Sequence, residues 1–188
     1  NDFYKDLDAG KINFPVFVKP YKGSASKAIR KVQNKEILDT LIKNNQDLLI
    51  QEYLDGQEFG VDCYIDMITR KPVSIFAKKK LVMRAGETDK ALSFIDKDLF
   101  DLISKFVEEV NFSAQIDIDV FKVKGKYYIS EVNPRFGGGY PHAYECGVNH
   151  VKLIINNLRG RKNSNVIGNY EENIYMMKYN EIMIKKAD

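Results

Sequence analysis

Asp117-Ile118-Asp119-Val120-Phe121-Lys122-Val123-Lys124-Gly125-Lys126-Tyr127-Tyr128-Ile129-Ser130-Glu131-Val132-Asn133-Pro134-Arg135 is the stretch from which the rest of the chain can be read. Two β-prone runs flank Gly125, the pattern of a hairpin. Side chains two apart on a strand share a face, so Asp117 lies with Asp119 and Glu131 with Asn133. A three-residue loop, Lys124-Gly125-Lys126, with Gly125 or its neighbour at positive φ, sets Asp119 opposite Glu131 and Asp117 opposite Asn133. A two-residue turn would instead set Ile118 opposite Glu131. Opposed carboxylates about 5 Å apart at Cβ repel each other. A hard divalent cation would reverse that sign, and an oxygen-only donor set favours Mg2+ or Mn2+ over zinc. Taken alone, the hairpin also reads as the solvated polar face of a sheet edge.

Upstream, Phe14-Pro15-Val16-Phe17-Val18-Lys19 is a compact apolar run ending in a lysine, followed by the small-residue loop Pro20-Tyr21-Lys22-Gly23-Ser24-Ala25-Ser26. A lysine at a strand end beside such a loop suits a phosphate, because backbone N–H groups and an ammonium can both meet its oxygens. An ordinary surface turn with a snorkelling lysine fits the same residues. Next, Gln51-Glu52-Tyr53-Leu54-Asp55-Gly56-Gln57-Glu58 reads as strand, glycine turn and returning strand. Extended backbone there can serve an adenine edge, and Glu58 can serve ribose hydroxyls. The returning strand alternates, with Phe59, Val61, Cys63 and Ile65 on one face and Glu58, Gly60, Asp62 and Asp66 assigned to the other.

The remaining pattern predicts strands over 28–32, 48–53, 72–82, 114–123 and 127–132. Helices are predicted over 34–43, capped by Asn34, over 96–110, capped by Asp96, and over 148–158. Residues 84–90 read as a loop, and 174–184 as strand or helix. Strands and helices mix without strict βαβ alternation, which favours an α+β fold. The 188 residues suit one large domain or two small ones, and 44% hydrophobic with 12% aromatic content argues against disorder. A net charge of +3 does not point to nucleic acid or a membrane surface, and no apolar run reaches a membrane span. Two cysteines make neither a disulfide framework nor a zinc site, so a reduced, cytoplasmic setting is expected. Cys63 reads as a core thiol. His142, Tyr144 and Cys146 read as loop packing, with contact to an acceptor substrate as the alternative, and His150 as structural or exposed. The Lys78-Lys79-Lys80 run reads as a solvated strand end, one member of which could meet phosphate.

The order of these elements resembles the ATP-grasp superfamily, above all the ATP-grasp domains of the carbamoyl-phosphate synthase large subunit and its relatives. The most specific part is Glu131-Val132-Asn133-Pro134-Arg135 with Phe136-Gly137-Gly138-Gly139. The resemblance implies two α+β subdomains with antiparallel sheets that grip ATP between them. It implies residues 1–13 as a truncated upstream segment, 14–55 as the partial small subdomain and 56–188 as the large one. Lys19 matches the lysine that reaches the nucleotide phosphates, and Gly23, Ser24, Ala25 and Ser26 match the loop that covers them. Glu52, Tyr53 and Leu54 match the hinge whose backbone reads adenine, and Glu58 the ribose acid. Asp119, Glu131 and Asn133 match the ligands of two Mg2+ (or Mn2+) ions, with Asp117 unranked against Asp119. Arg135 matches the arginine that stabilises the transferring phosphoryl group. Arg84, with Gly86-Glu87-Thr88, falls where relatives place acceptor-site residues.

The implied activity is that of a carboxylate–amine ligase (EC 6.3-type). ATP would activate a carboxylate or bicarbonate as an acyl phosphate for attack by an amine or ammonia. The implied partners are those small molecules and a missing N-terminal domain of the same parent chain, and a homodimer is compatible with it. Two departures stand out. Relatives often carry a glycine near Ala28, and they have an earlier basic residue and an N-terminal α/β domain that this sequence lacks. The alternative is therefore an ATP-binding module without activity of its own.

Overall fold

A computed structural model describes residues 2–22, 30–45 and 47–186. The chain divides into two compact units, Asn1–Asp55 and Gly56–Asp188. The first is built on a three-stranded antiparallel sheet of β1 (Val16–Pro20), β2 (Arg30–Val32) and β3 (Leu48–Glu52), in the order β2-β1-β3. Alternation along β1 turns Val16 and Val18 into a core with Val32 and Leu38. Leu38 comes from α2 (Lys35–Asn44), whose start is fixed by Asn34, its side-chain oxygen accepting from Ile37 N–H at 3.0 Å. Part of the opening segment is helical. Residues Asp2–Asp8 form α1, and Phe3, Ile12 and Phe14 pack onto this core. A seven-residue helix has little stability of its own, so packing decides its conformation and the local pattern does not reveal it.

The second unit is a six-stranded sheet, antiparallel throughout. Its strands are β4 (Gln57–Ile65), β5 (Pro72–Arg84), β6 (Glu87–Phe94), β7 (Ala114–Val123), β8 (Lys126–Asn133) and β9 (Tyr175–Met177), in the order β8-β7-β4-β5-β6-β9. One face carries Phe59, Val61, Cys63 and Ile65 of β4 with Ile116, Ile118 and Val120 of β7. Against it lies α3 (Lys97–Val110), which contributes Leu99, Phe100, Ile103 and Val107. Asp96 caps α3, accepting from Asp98 N–H at 3.0 Å and Leu99 N–H at 3.3 Å. Cys63 is a core thiol, and burial pushes its pKa up.

Three elements differ from expectation. Residues 84–90 are not a loop, because Ala85 and Gly86, both at positive φ, make a two-residue turn into β6. Both central residues at positive φ match the twist of paired strands, so charged residues here pair rather than disperse. A further short helix, α4 (Tyr140–Glu145), precedes α5 (His150–Leu158). Of 174–184 only β9 is regular. Among the described residues no helix is long and apolar enough to cross a membrane.

Asp66, at the end of β4, is fully buried and ties α5 to the sheet. One carboxylate oxygen accepts from Ile68 N–H, Thr69 N–H and Thr69 Oγ1, and the other from Asn157 Nδ2, Asn163 N–H and Asn163 Nδ2. Burial pushes its pKa up, but the bonds from Asn157, Thr69 and Asn163 outweigh it and hold it well below the usual 3.8. The carboxylate therefore stabilises the fold above about pH 4, and that contribution fades as pH falls towards the lower folded pKa. Asp66→Asn is expected to lose about 2–3 kcal/mol at pH 7. It should also flatten the decline in stability below about pH 4, as read from urea midpoints across pH 2–7.

Candidate functional site

The face of the second sheet opposite α3 is charged, and four strands supply it. Asp119 stands opposite Glu131 and Asp117 opposite Asn133, as the hairpin spacing predicts, but by another route. The turn has two residues, Lys124 and Gly125, both at positive φ, with Val123 paired to Lys126. That register alone would have put Ile118 opposite Glu131. Val120 pairs with Ile129 and Asp119 with Glu131, so Ser130 is an extra residue, and this β-bulge restores the polar pairs. On the other side of β7, Asp119 is opposite Gly60 and Asp117 opposite Asp62. Gly60 is in turn opposite Lys78 of β5.

Two lysines thread this acidic face. Lys78 Nζ donates to the Asp62 carboxylate and, at 3.3 Å, to the Gly139 carbonyl. The side chains of this pair are 2% and 0% exposed. Lys80 Nζ bridges Glu58 Oε1 at 2.7 Å and Asp119 Oδ1 at 2.6 Å. Burial lowers the Lys80 pKa, but Asp119 and Glu58 together outweigh it and raise it. Asp117 is pushed up to about 6, first by burial, then by the nearby Asp62 and Asp119 charges, against the pull of Lys78 and Arg135. Arg135 Nη1 donates to Asp117 Oδ2 at 3.0 Å. Asn133 Nδ2 donates to Glu131 Oε1 at 3.3 Å.

The glycine-rich segment after β8 lies against these groups. A Cβ on Gly137 would sit 2.6 Å from the Asp117 carboxyl carbon, and one on Gly139 would sit 3.0 Å from Lys78 Cε, so no larger residue fits without displacing a charge. Glu87 reaches the same segment, its carboxylate 3.0 Å from a Cβ position on Gly138. Lys178 binds Glu87 at 2.9 Å and, with the Arg135 charge adding to it, holds its pKa low. Arg84 lies 3.7 Å from Asp89, on the hairpin that carries Glu87. His150 is structural rather than exposed. It is buried, with Nδ1 2.5 Å from Gln115 Oε1 and Nε2 2.9 Å from Ser74 Oγ, and burial pulls its pKa down to about 4.

Within the first unit, Lys19 is on β1 opposite Leu49, and Glu52 closes β3 opposite Val16. Tyr53 takes the Lys31 ammonium over its ring at 3.8 Å, and Glu52 is exposed. The loop residues Gly23, Ser24, Ala25 and Ser26 lie outside the described residues.

A family model described as ATP-grasp in the biosynthetic pathway with Ter operon matches residues 44–182. The chain belongs to the ATP-grasp family. The D-alanine–D-alanine ligase of Clostridium botulinum is 24% identical over 136 residues, which cover 65% of this chain and 45% of that protein. The carbamoyl phosphate synthase large chain of Thermoanaerobacter pseudethanolicus is 27% identical over 175 residues, 84% of this chain and 16% of that one. The chain thus spans less than half the length of these relatives. Among solved structures, the biotin carboxylase domain of Hydrogenobacter thermophilus 2-oxoglutarate carboxylase, in complex with MgADP and bicarbonate, superposes with a TM-score of 0.74 at 17% identity. It covers 93% of this chain and 43% of that one. Staphylococcus aureus N5-carboxyaminoimidazole synthetase, complexed with ADP, gives a TM-score of 0.69 at 16% identity over 88% of this chain and 46% of that one. The α+β fold with antiparallel sheets is therefore that of ATP-grasp proteins.

In this ATP-grasp chain Lys78 and Lys80 join Glu58, Asp62, Asp117, Asp119, Glu131 and Asn133 on the polar face. The Lys78-Lys79-Lys80 run is not a solvated strand end, since Lys78 is buried and the Lys80 side chain is 7% exposed. A signal was present: Lys78 and Lys80 alternate on a strand whose antiparallel neighbour carries Glu58 and Asp62 either side of a glycine.

Proposed function

We propose that this chain is the ATP- and Mg2+-dependent part of a carboxylate–amine ligase. The γ-phosphoryl group of ATP passes to a carboxylate or bicarbonate, leaving ADP, and an amine or ammonia then displaces phosphate from the acyl phosphate. The observation that carries the reading is the Asp119–Glu131 pair, directly opposed on one hairpin face with Asn133 beside it, in a chain of the ATP-grasp family. The donors fit a hard divalent ion, since they are oxygens of two carboxylates and one amide without thiolate or imidazole. Among the described residues there is no group of three or more His, Cys, Asp or Glu side chains suited to a metal, and Asn133 enters the proposed set from the resemblance. Bound there, the ion would neutralise charge on the phosphates.

Roles for the remaining residues follow from the resemblance. Glu58 binds the ribose, Lys19 the phosphates, and the backbone of Glu52, Tyr53 and Leu54 the adenine, with Gly23 to Ser26 covering the phosphates. Arg135 stabilises the transferring group. The acceptor lies near Arg84, where Glu87 and the glycine-rich segment meet. Lys19→Ala is expected to weaken ATP binding by about tenfold to a hundredfold, the worth of a charge-assisted hydrogen bond, and calorimetric titration checks it. ADP release in the presence of bicarbonate, ammonia and a panel of amino acids tests the reaction itself. Release stimulated by an acceptor pair supports the ligase. MgATP binding without stimulated release supports a nucleotide-binding part that requires the rest of a longer protein, a reading favoured by the short share of its relatives that the chain spans.

A further inference from the structure

Lys80 belongs to β5 and Asp119 to β7, and β4 runs between them. A lysine stem that crosses a strand needs a place on that strand with no side chain. Gly60 is that place. It is opposite Asp119 on one side, and a Cβ built on it would lie 3.3 Å from Lys80 Cε and 3.0 Å from Lys78 Cε. Through this lane the Lys80 ammonium reaches Asp119 Oδ1 at 2.6 Å while holding Glu58 Oε1 at 2.7 Å. The Lys80 side chain is 7% exposed, whereas its two partners are 28% and 27% exposed, so the carboxylates face water and the cation is seated behind them. One ammonium thus joins the residue read as the ribose acid to the residue read as a metal ligand.

We propose that Lys80 is a tethered counter-ion that fills the cation seat at Asp119 until a divalent ion arrives together with a nucleotide. The proposal rests on the reading of Asp119 as a metal ligand. A metal ion alone must displace the ammonium and leave it beside a divalent charge, which opposes binding. A metal–nucleotide complex brings phosphate oxygens that accept the displaced ammonium, and its ribose gives Glu58 a new partner. Metal and nucleotide then bind with positive coupling, and that coupling is reciprocal.

The test uses Mn2+ as the probe, with the enhancement of water-proton relaxation above protein-free Mn2+ and MnATP controls reporting its binding to the chain, with and without ATP. The wild-type chain is expected to bind Mn2+ at least tenfold more tightly when ATP is present. Lys80→Met is expected to bind Mn2+ alone at least tenfold more tightly than wild type and to lose most of the gain from ATP. Lys80→Gln, which keeps a hydrogen-bond donor for the carboxylates, serves as the second variant, and circular dichroism checks both folds. If wild type binds Mn2+ with ATP and both variants bind Mn2+ alone no more tightly than wild type, the counter-ion role is overturned while the ligase reading stands. If wild type binds no Mn2+ even with ATP, the metal-site reading falls and the counter-ion role with it.

Discussion

Glu131→Gln is expected to lower MgATP affinity by a hundredfold or more while leaving the apo chain folded. The substitution keeps the shape of the side chain and removes its charge. Loss of a partner that only orients a metal ligand typically reduces affinity by about 10–100-fold, so loss of a proposed ligand itself belongs at or above the upper end. The fold should barely respond. Glu131 is exposed and glutamine keeps an oxygen that can accept from Asn133, so the loss should stay within about 1 kcal/mol. Relief of the repulsion with Asp119 works in the same direction. Binding of ATP without metal should be unchanged. An unaltered Mg2+ dependence in this variant contradicts the assignment of Glu131.

Lys78→Met is expected to be the most destabilising single change on the charged face, at about 3–5 kcal/mol. The Lys78 side chain is 2% exposed and that of Asp62 0%, so removal of the cation leaves a carboxylate in the interior without a counter-charge. Asp62 also stands opposite Asp117, whose pKa is already raised by burial and by the Asp62 and Asp119 charges. Loss of Lys78 takes away one of the two cations that offset those charges. It also removes one of two donors to the Gly139 carbonyl, which accepts from Lys78 at 3.3 Å and from His142 N–H at 3.2 Å. Replacing both partners, Lys78→Met with Asp62→Leu, should recover most of the loss, because a buried pair exchanged for apolar side chains of similar volume is often neutral. Urea midpoints at constant m-value read both changes. A single-variant loss below about 1 kcal/mol contradicts the buried-pair account.

These two residues also mark what the sequence made legible. Glu131 was found because strand periodicity and a hairpin turn bring opposed carboxylates together, and that argument is local. The turn is one residue shorter than assumed, and the bulge at Ser130 compensates, so the polar pairs survive an error in the loop. The face of β4 was equally legible, since Phe59, Val61, Cys63 and Ile65 all enter the core. The starts of α2 and α3 followed from Asn34 and Asp96.

Lys78 could not be read so directly. Three consecutive lysines look solvated until it is known that their strand lies beside β4, a pairing across the 66–71 turn that buries two of the three. The same dependence on neighbours explains β6. Its residues Glu87-Thr88-Asp89-Lys90 suggest a loop, yet Thr88 and Asp89 are buried in a strand paired with β5. Short elements such as α1, α4 and β9 take their conformation from packing, and their local patterns were too brief to show it. The structural role of His150 was legible but its ring's partners were not, since Gln115 and Ser74 are 35 and 76 positions away.

Thermal unfolding of the chain with MgATP, with ATP and a chelator, and with Mg2+ alone tests the central claim most directly. A ligand that binds only the folded state must raise stability by mass action, by about 2.7 kcal/mol at a hundred times its Kd. The account predicts a clear rise in Tm with MgATP, a smaller one with ATP alone and almost none with Mg2+ alone. No shift at millimolar MgATP would contradict it.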